Sequence, residues 1–300
     1  MSNTDTSLDA LTQDIIARHD RAMSINYARY PVAMVRGEGS TLFDASGKAY
    51  LDASVLGHCH PDLVKAVSDQ AQTLWHVGNL FHTEPQTRAA EAISQYGFEG
   101  RSFFCHSGAD ANVGALKLAR LHGQKNKGNT TGGRYKVIST LGSFHGRAFG
   151  AMEATGQPKV YEGFGPLGPG HMHVRFNDLS AVESAIDDET IAVLVEPIQG
   201  EGGVNVPSDG YLAGLRALCD QHDLVLIFDE VWTGIGHTGR YFGHQHWNVT
   251  PDVMTLAKGV GGGLPVGVTH VSPKFADLYD WRTHGHAVHA TTLGGNCLSM

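Results

Sequence analysis

The stretch Leu224-Val-Leu-Ile-Phe-Asp-Glu230 joins five uninterrupted apolar residues to two carboxylates. Strands that are apolar at every position are covered on both faces, as in parallel sheets that lie between helices. An amphipathic helical pattern over 211–222 precedes this stretch, and further apolar runs occupy 191–195 and 253–257. The sequence therefore predicts an α/β protein with a mainly parallel sheet sandwiched by helices.

Chemically reactive groups stand directly after the predicted strands. They are Ser107-Gly108, Glu196, Asp229 and Lys258. In parallel α/β sheets the ligand lies beyond the carboxyl ends of the strands, so these four groups are expected to share one site.

Lys258 and Asp229 are the residues expected to carry the chemistry. Lys258 follows an apolar strand and precedes five glycines between 259 and 267, and apolar surroundings favour the neutral amine that forms a Schiff base. A surface lysine before a flexible loop is the alternative. Asp229 needs a cationic partner such as a protonated cofactor nitrogen, although a helix cap or a magnesium ligand would also explain it.

Three further segments suggest binding rather than chemistry. Ser107-Gly108-Ala109 opens a predicted helix, whose free N–H groups attract phosphate, although an ordinary serine N-cap is the alternative. Phe144 is suited to stacking on a cofactor ring, and Arg147 to binding a carboxylate through two hydrogen bonds. Packing and surface roles remain open for both residues.

Composition excludes several classes of partner. The chain has 300 residues and a net charge of −8, without a basic run, so neither nucleic acid nor an anionic membrane is expected. It has no apolar stretch of transmembrane length and no signal pattern, so a cytoplasmic protein is expected. The four cysteines form no paired motif and the histidine clusters at 58–60 and 284–289 lack metal-site spacing, so no metal is expected.

A series of distinct motifs, each present once, extends along almost the whole chain. They include Leu56-Gly-His-Cys-His-Pro61, Phe104-Cys-His-Ser-Gly-Ala-Asp-Ala-Asn112, Ser143-Phe-His-Gly-Arg147, Glu196-Pro-Ile-Gln-Gly-Glu-Gly-Gly203, Phe228-Asp-Glu-Val231, Ala257-Lys-Gly259 and Thr292-Leu-Gly-Gly-Asn296. This set resembles the fold-type I, class III aminotransferases, which use pyridoxal 5′-phosphate, and is most similar to the acetylornithine aminotransferase group.

The resemblance implies a domain organisation as well as a fold. The fold would be a seven-stranded-type, mainly parallel sheet between helices, with an incomplete small domain. Residues 1–58 would contribute to that small domain, and residues 59–300 would form the large cofactor-binding domain. Because the chain stops at Met300, the C-terminal part of the small domain is expected to be absent.

The resemblance also implies roles around the cofactor. Lys258 would form the Schiff base and move the proton, and Asp229 would pair with the ring nitrogen. The residues that would contact the phosphate and the ring faces are Ser107, Gly108, Ala109, Phe144 and Val231. The first three would bind the phosphate, and the last two would cover the ring. Trp232 stands where the acetylornithine group has a glutamine bonded to the ring oxygen, and an indole can donate a hydrogen bond there but not accept one.

Substrate roles follow from the same resemblance. Arg147 would receive the α-carboxylate, and Glu201 would mask a second arginine until 2-oxoglutarate arrives. Thr292, or its neighbour Thr291, would reach the phosphate of the other subunit in a homodimer. The implied reaction moves the ω-amino group of N-acetylornithine, or of a similar ω-amine, to 2-oxoglutarate in arginine biosynthesis.

Several readings remain open from the sequence. An ornithine, γ-aminobutyrate or other ω-amino-acid transaminase is the nearest alternative. A truncated, non-catalytic fragment that binds the cofactor is another. A nucleotide-binding protein is a third, although the glycines at 259–263 lack the G-x-G-x-x-G spacing. The short Asp52–Leu56 segment and the absent C-terminal part of the small domain leave the acyl group of the amino donor open. The long His284–His289 segment leaves open whether Thr292 or Thr291 takes the phosphate position.

Overall fold

The computed structural model describes residues 9–52, 55–127 and 133–300. Internal contacts divide the chain into a unit that ends at Asp69 and a unit that begins at Gln70. The predicted boundary between 58 and 59 stays a prediction. The helical spacing of Leu8, Leu11, Ile15 and Ile16 predicts an N-terminal helix, of which Leu8 lies outside the described residues. Ala53 and Ser54 of the short Asp52–Leu56 segment also lie outside them.

The first unit contains a helix and a small antiparallel sheet. Its elements are α1 (Ala10–Ala22), β1 (Met34–Glu38), β2 (Thr41–Asp44) and β3 (Ala49–Leu51), and α2 (Pro61–Ala71) crosses the boundary. The sequence from Ser40 to Asp52 predicts two short strands around a turn at Ser46-Gly47, and they are found as β2 and β3. Asp44 closes this turn by accepting hydrogen bonds from the N–H groups of Ser46 and Lys48, both at 2.9 Å. Its hydrogen bonds, with that from the Ser46 hydroxyl foremost, lower the pKa of Asp44 to about 2.

The second unit alternates helices and strands. The helices are α3 (Glu84–Tyr96), α4 (Gly108–Lys127), α5 (Ala151–Ala154), α6 (Pro158–Tyr161), α7 (Leu179–Ala185), α8 (Tyr211–Gln221) and α9 (Trp281–His284). The strands are β4 (Arg101–Cys105), β5 (Lys136–Thr140), β6 (His171–Val174), β7 (Thr190–Val195), β8 (Val225–Asp229), β9 (Val253–Leu256) and β10 (Gly267–Val271). They form one seven-stranded sheet in the order β4-β10-β9-β8-β7-β5-β6.

Six strands of this sheet share one direction. Only β10 runs against its neighbours β4 and β9, and the pairs among β5 to β9 are parallel. The predicted mainly parallel sheet is therefore confirmed. Because six strands end on the same edge of the sheet, the residues that follow them are brought together there.

The central strands are buried on both faces. Every residue of β7 and of β8 is buried. Leu194 packs in one apolar cluster with Leu118 of α4, whereas its neighbour Val193 packs in another with Leu212 of α8. Successive side chains of a strand point to opposite faces, so an uninterrupted apolar run is what two covering helix layers require. In the described part of the chain no helix is both long and apolar enough to cross a membrane.

Candidate active site

The carboxyl ends of the strands open into a cavity of about 620 Å³. Among its lining residues are eleven that the sequence predicted: Ser107, Gly108, Ala109, Phe144, Arg147, Glu196, Glu201, Asp229, Val231, Trp232 and Lys258. Thr292 is exposed and is not among the lining residues of this chain. The structure thus brings the predicted site residues together in one place, with the single exception of the threonine.

Asp229, the last residue of β8, lies buried at this cavity with 2% of its surface exposed. Its Oδ2 accepts a hydrogen bond from Asn112 Nδ2 at 2.7 Å and lies 2.8 Å from His145 Nδ1. Its Oδ1 accepts a hydrogen bond from the N–H of Val231 at 3.0 Å. Three donors therefore hold a buried carboxyl group in a fixed orientation, which compensates for the loss of water around it.

A second layer of hydrogen bonds holds these donors. Asn112 Nδ2 also donates to the carbonyl of His145 at 2.8 Å, and Asn112 Oδ1 accepts from the hydroxyl of Thr255 at 2.7 Å. The N–H of His145 donates to the hydroxyl of Thr155 at 2.9 Å. Sequence reasoning assigned no role to Asn112 or His145, although both stand in quoted motifs. Their positions within the quoted motifs 104–112 and 143–147 are the sequence signal that could have identified them.

Lys258 follows β9 and adopts a left-handed backbone conformation, with φ of 49°. A residue with a side chain costs on the order of 1 kcal/mol there relative to an ordinary conformation, and such strain is concentrated at functional sites. A short 3₁₀ turn, Lys258–Gly261, begins at this residue and is closed by Gly262, also left-handed with φ of 58°. The glycine cluster therefore serves the turn that presents the lysine to the cavity.

Helix α4 also begins at this cavity. The hydroxyl of Ser107 accepts a hydrogen bond from the N–H of Asp110 at 3.2 Å, so the N-cap interpretation of Ser107 is confirmed. The same residue lines the cavity, and the first N–H groups of a helix lack partners within it. A Cβ on Gly108 would lie 2.8 Å from a methyl carbon of Val231, so glycine allows the close approach of the two segments. This end of the cavity is suited to an anion such as phosphate.

Aromatic and charged side chains form the remaining walls. The Arg147 guanidinium carbon lies 5.9 Å from the ring centroid of Phe144. The Trp232 indole packs against Gly200, where a Cβ would lie 2.6 Å from a ring atom, and its ring centroid is 4.8 Å from that of His237. The indole is thus confined between a backbone and a second ring. In residues 9–52, 55–127 and 133–300, no group of three potential metal ligands is close enough to hold an ion.

Comparison with known families decides the assignment. The sequence model of the family described as aminotransferase class-III matches residues 22–300. The chain belongs to this family. Among its relatives, an acetylornithine aminotransferase from Caldanaerobacter subterraneus subsp. tengcongensis is 47% identical over 91% of this chain and 69% of its own length. A second, from Pseudomonas putida, is 46% identical over 94% of this chain and 69% of its own length.

Solved structures agree with this assignment. The ornithine aminotransferase from Toxoplasma gondii ME49 superposes on this aminotransferase with a TM-score of 0.89 at 32% identity, covering 98% of this chain and 70% of that chain. Another structure of ornithine aminotransferase from Toxoplasma gondii, with a TM-score of 0.88 at 32% identity over 96% of this chain and 68% of that chain, has pyridoxal 5′-phosphate at partial occupancy in its active site.

The residues of this aminotransferase fit pyridoxal 5′-phosphate, the cofactor of the family. The ligand needs a carboxylate for its ring nitrogen, a donor cradle for its phosphate and an amine for its aldehyde carbon. Asp229, the start of α4 and Lys258 supply these three groups around one cavity. The fit rests on chemistry that is present in the chain: a buried acid held by three donors, a helix N-terminus and an exposed amine on a strained turn.

Proposed function

We propose that this aminotransferase moves the ω-amino group of N-acetylornithine to 2-oxoglutarate. The observation that carries the proposal is the convergence of Lys258, buried Asp229 and Arg147 on one cavity. Three relatives at 44–47% identity, from two bacteria and Methanocaldococcus jannaschii, are acetylornithine aminotransferases. We assign the enzyme to arginine biosynthesis on the same support.

The proposed mechanism gives each polar residue one task. When bound, the cofactor supplies an electron-poor ring that stabilises negative charge on the substrate carbon. Lys258 would hold the cofactor, and its amine, once the substrate amine has taken its place there, would accept the proton from the substrate carbon that bears the amino group. Asp229 keeps the ring nitrogen protonated, with Asn112 and His145 fixing the carboxyl group.

Three segments would position the cofactor itself. The N–H groups of Gly108 and Ala109, with Ser107, would bind its phosphate, and the side chains of Phe144 and Val231 would cover its ring. Trp232 supplies an indole N–H where a donor to the ring oxygen is needed. These assignments follow from the positions of the residues around the cavity and from the family motifs that contain them.

The substrate end of the cavity is lined by opposite charges. Arg147 is exposed at the cavity and binds the α-carboxylate of the donor through two parallel hydrogen bonds. Glu201 is exposed on the same cavity, where, by the family resemblance, it would pair with a second arginine until the acceptor carboxylate takes its place. If Glu201 releases this arginine only when a second carboxylate arrives, one site can bind a donor with one carboxylate and then an acceptor with two.

We further propose a cytoplasmic homodimer in which Thr292 of each subunit binds the phosphate at the site of the other. Thr292 is exposed, and the segment that bears it is held in place by Asn79, whose Nδ2 donates to the carbonyls of Thr291 and Gly294 at 3.2 and 3.0 Å. The Thr291 hydroxyl accepts from the N–H of Gly294 at 3.2 Å, so it already has a partner within the segment. A hydroxyl that accepts one hydrogen bond can still donate to a phosphate, so Thr291 stays the alternative to Thr292 for this contact.

The acyl group on the donor has a second candidate. A succinylornithine transaminase from Salmonella typhimurium is 44% identical over 91% of this chain and 66% of its own length. A succinyl group carries a carboxylate that an acetyl group lacks, so the two donors differ by one negative charge at the acyl end.

One experiment tests both donors and the cofactor. The protein with added pyridoxal 5′-phosphate is followed by visible absorption as each of N-acetylornithine, N-succinylornithine, ornithine and γ-aminobutyrate is added, with Lys258→Ala as control. We expect a cofactor band that bleaches with N-acetylornithine, returns with 2-oxoglutarate and is missing in the variant. A band that ignores all four amines would refute the proposed reaction and leave a cofactor-binding protein.

A further inference from the structure

Glu196 is a buried acid on the cavity wall for which the proposed mechanism has no use. It directly follows β7, is 3% exposed, and lines the same cavity as Lys258 and Asp229. Removing a carboxyl group from water is unfavourable unless the protein provides compensating contacts. The contacts that Glu196 makes therefore indicate what the group does.

The two oxygens of Glu196 bond to two different loops. Oε2 accepts a hydrogen bond from the N–H of Phe144 at 3.1 Å, on the loop after β5 that also carries Arg147. Oε1 accepts a hydrogen bond from the N–H of Gly200 at 3.2 Å, on the loop after β7 that carries Glu201. A single side chain thus joins the loop of the proposed ring-stacking residue to the loop of the proposed acceptor switch.

We propose that Glu196 is a positioning residue, whose carboxyl group joins the loops bearing Phe144 and Glu201 and thereby sets how the site receives a dicarboxylate. The inference rests on the proposed function in one respect, because it takes 2-oxoglutarate as the acceptor. It adds a residue to which the proposed mechanism assigns no contact with substrate or cofactor, and which would act through the backbone N–H groups of Phe144 and Gly200.

The charge of Glu196 changes in the range where the enzyme would work. Burial raises the pKa of Glu196 to about 7, with Asp229 adding to the effect and His145 opposing it. The other charged or titratable groups on the cavity are His106, Arg147, Glu201 and Lys258. Above neutral pH, Glu196 adds a negative charge beside a site that must bind a dianion, so dicarboxylate binding should weaken there.

The test measures binding of glutarate, a dicarboxylate whose charge is constant between about pH 6 and 8, to the protein loaded with pyridoxal 5′-phosphate. For the unaltered protein we expect the Kd to rise roughly three- to tenfold over this range, because a single group that must be protonated for tight binding can change the Kd by at most about tenfold across its pKa within two pH units. For Glu196→Gln we expect the rise to disappear, because the amide carries no charge at any pH.

Glu153→Gln is the matched control. Glu153 is also a buried glutamate, 6% exposed, whose carboxyl group accepts hydrogen bonds from the backbone of Gly150 and Gly168. It does not line the cavity, and its backbone hydrogen bonds keep its pKa below the ordinary value despite burial. The control should lose thermal stability as Glu196→Gln does, yet keep the pH dependence of glutarate binding.

Three results would overturn the inference: a flat Kd for the unaltered protein, an unchanged rise in Glu196→Gln, or an equal loss of the rise in Glu153→Gln. If Glu196→Gln does not fold, the profile of the unaltered protein decides, with a midpoint near pH 7 as the supporting result. Glutarate binding requires no amino donor. A failure to turn over N-acetylornithine with the pH step intact therefore rejects only the proposed donor.

Discussion

Replacing Asn112 by alanine should destabilise the protein strongly, because three buried hydrogen bonds depend on its side chain. Asn112 is 1% exposed, donates to Asp229 Oδ2 and to the His145 carbonyl, and accepts from Thr255. A buried hydrogen bond to a charged group contributes about 1.5–3 kcal/mol and a neutral one about 1 kcal/mol. We therefore expect Asn112→Ala to lower the free energy of unfolding by about 4 kcal/mol.

The measurement is guanidinium unfolding of the cofactor-free protein, with Thr255→Val as the matched variant. Thr255→Val removes only the hydroxyl bonded to Asn112 Oδ1 and should cost about 1 kcal/mol. In the double variant the second change should cost almost nothing further, since its partner is already gone. A loss below about 1 kcal/mol for Asn112→Ala, or fully additive losses in the double variant, would refute the reasoning.

Three other changes have defined outcomes. Lys258→Ala should lower kcat by at least about 10²–10⁴-fold, the contribution of a positioned acid–base group, and a variant with near-normal kcat in a transamination assay would contradict its role. Arg147→Lys should raise the KM of the donor about tenfold while kcat changes less, because an ammonium cannot bind a carboxylate through two parallel hydrogen bonds; equal KM values in steady-state kinetics would exclude that contact. Burial lowers the pKa of His171 to about 4, against about 6.5 in the unfolded chain, so the unfolded state binds more protons between these values and stability falls as the pH drops through them. After allowance for partial exposure, the free energy of unfolding should fall by about 2 kcal/mol between pH 6.5 and pH 4.5. Denaturation of His171→Gln at these two pH values should show a smaller fall in the free energy of unfolding than the unaltered protein.

The apolar strands were predictable because every residue in them is buried on one face of the sheet or the other. The runs predicted at 191–195 and at 224–228 are found as Thr190–Val195 and Val225–Asp229, each within one residue at either end. Helices cover both faces of these strands, so the pattern needs no knowledge of distant residues. The helix predicted over 211–222 is confirmed as Tyr211–Gln221 for the same reason.

Strand β10 escaped prediction because polar residues interrupt it. Thr269 and His270 are both fully buried in the middle of this strand. Their partners are remote: Thr269 donates to the carbonyl of Ala111 at 2.9 Å, and the His270 ring lies 2.9 Å from the hydroxyl of Ser102. From sequence alone, a threonine or histidine is predicted to be exposed, because its buried hydrogen-bond partner is not visible in the local pattern.

The site residues likewise divide into those that local sequence predicts and those that depend on distant contacts. Residues at strand ends, such as Asp229 and Lys258, were predicted because topology alone places them at one edge. Asn112 and His145 were missed because their contacts with Asp229 join positions 117 and 84 residues apart, which no local spacing encodes. The role of Thr292 stays a prediction, since it depends on a second subunit.

The antiparallel strand has a consequence for synthesis of the protein on the ribosome. β4, which leads into the end of the cavity at Ser107, is an edge strand that joins the sheet only through β10, and β10 follows every other strand of this sheet in the sequence. Chain elongation therefore delivers Ser107 long before Val271, and β4 has no strand to pair with until β10 has been made. A pause in translation upstream of β10 would leave the edges of β4 and β9 unpaired and open to aggregation.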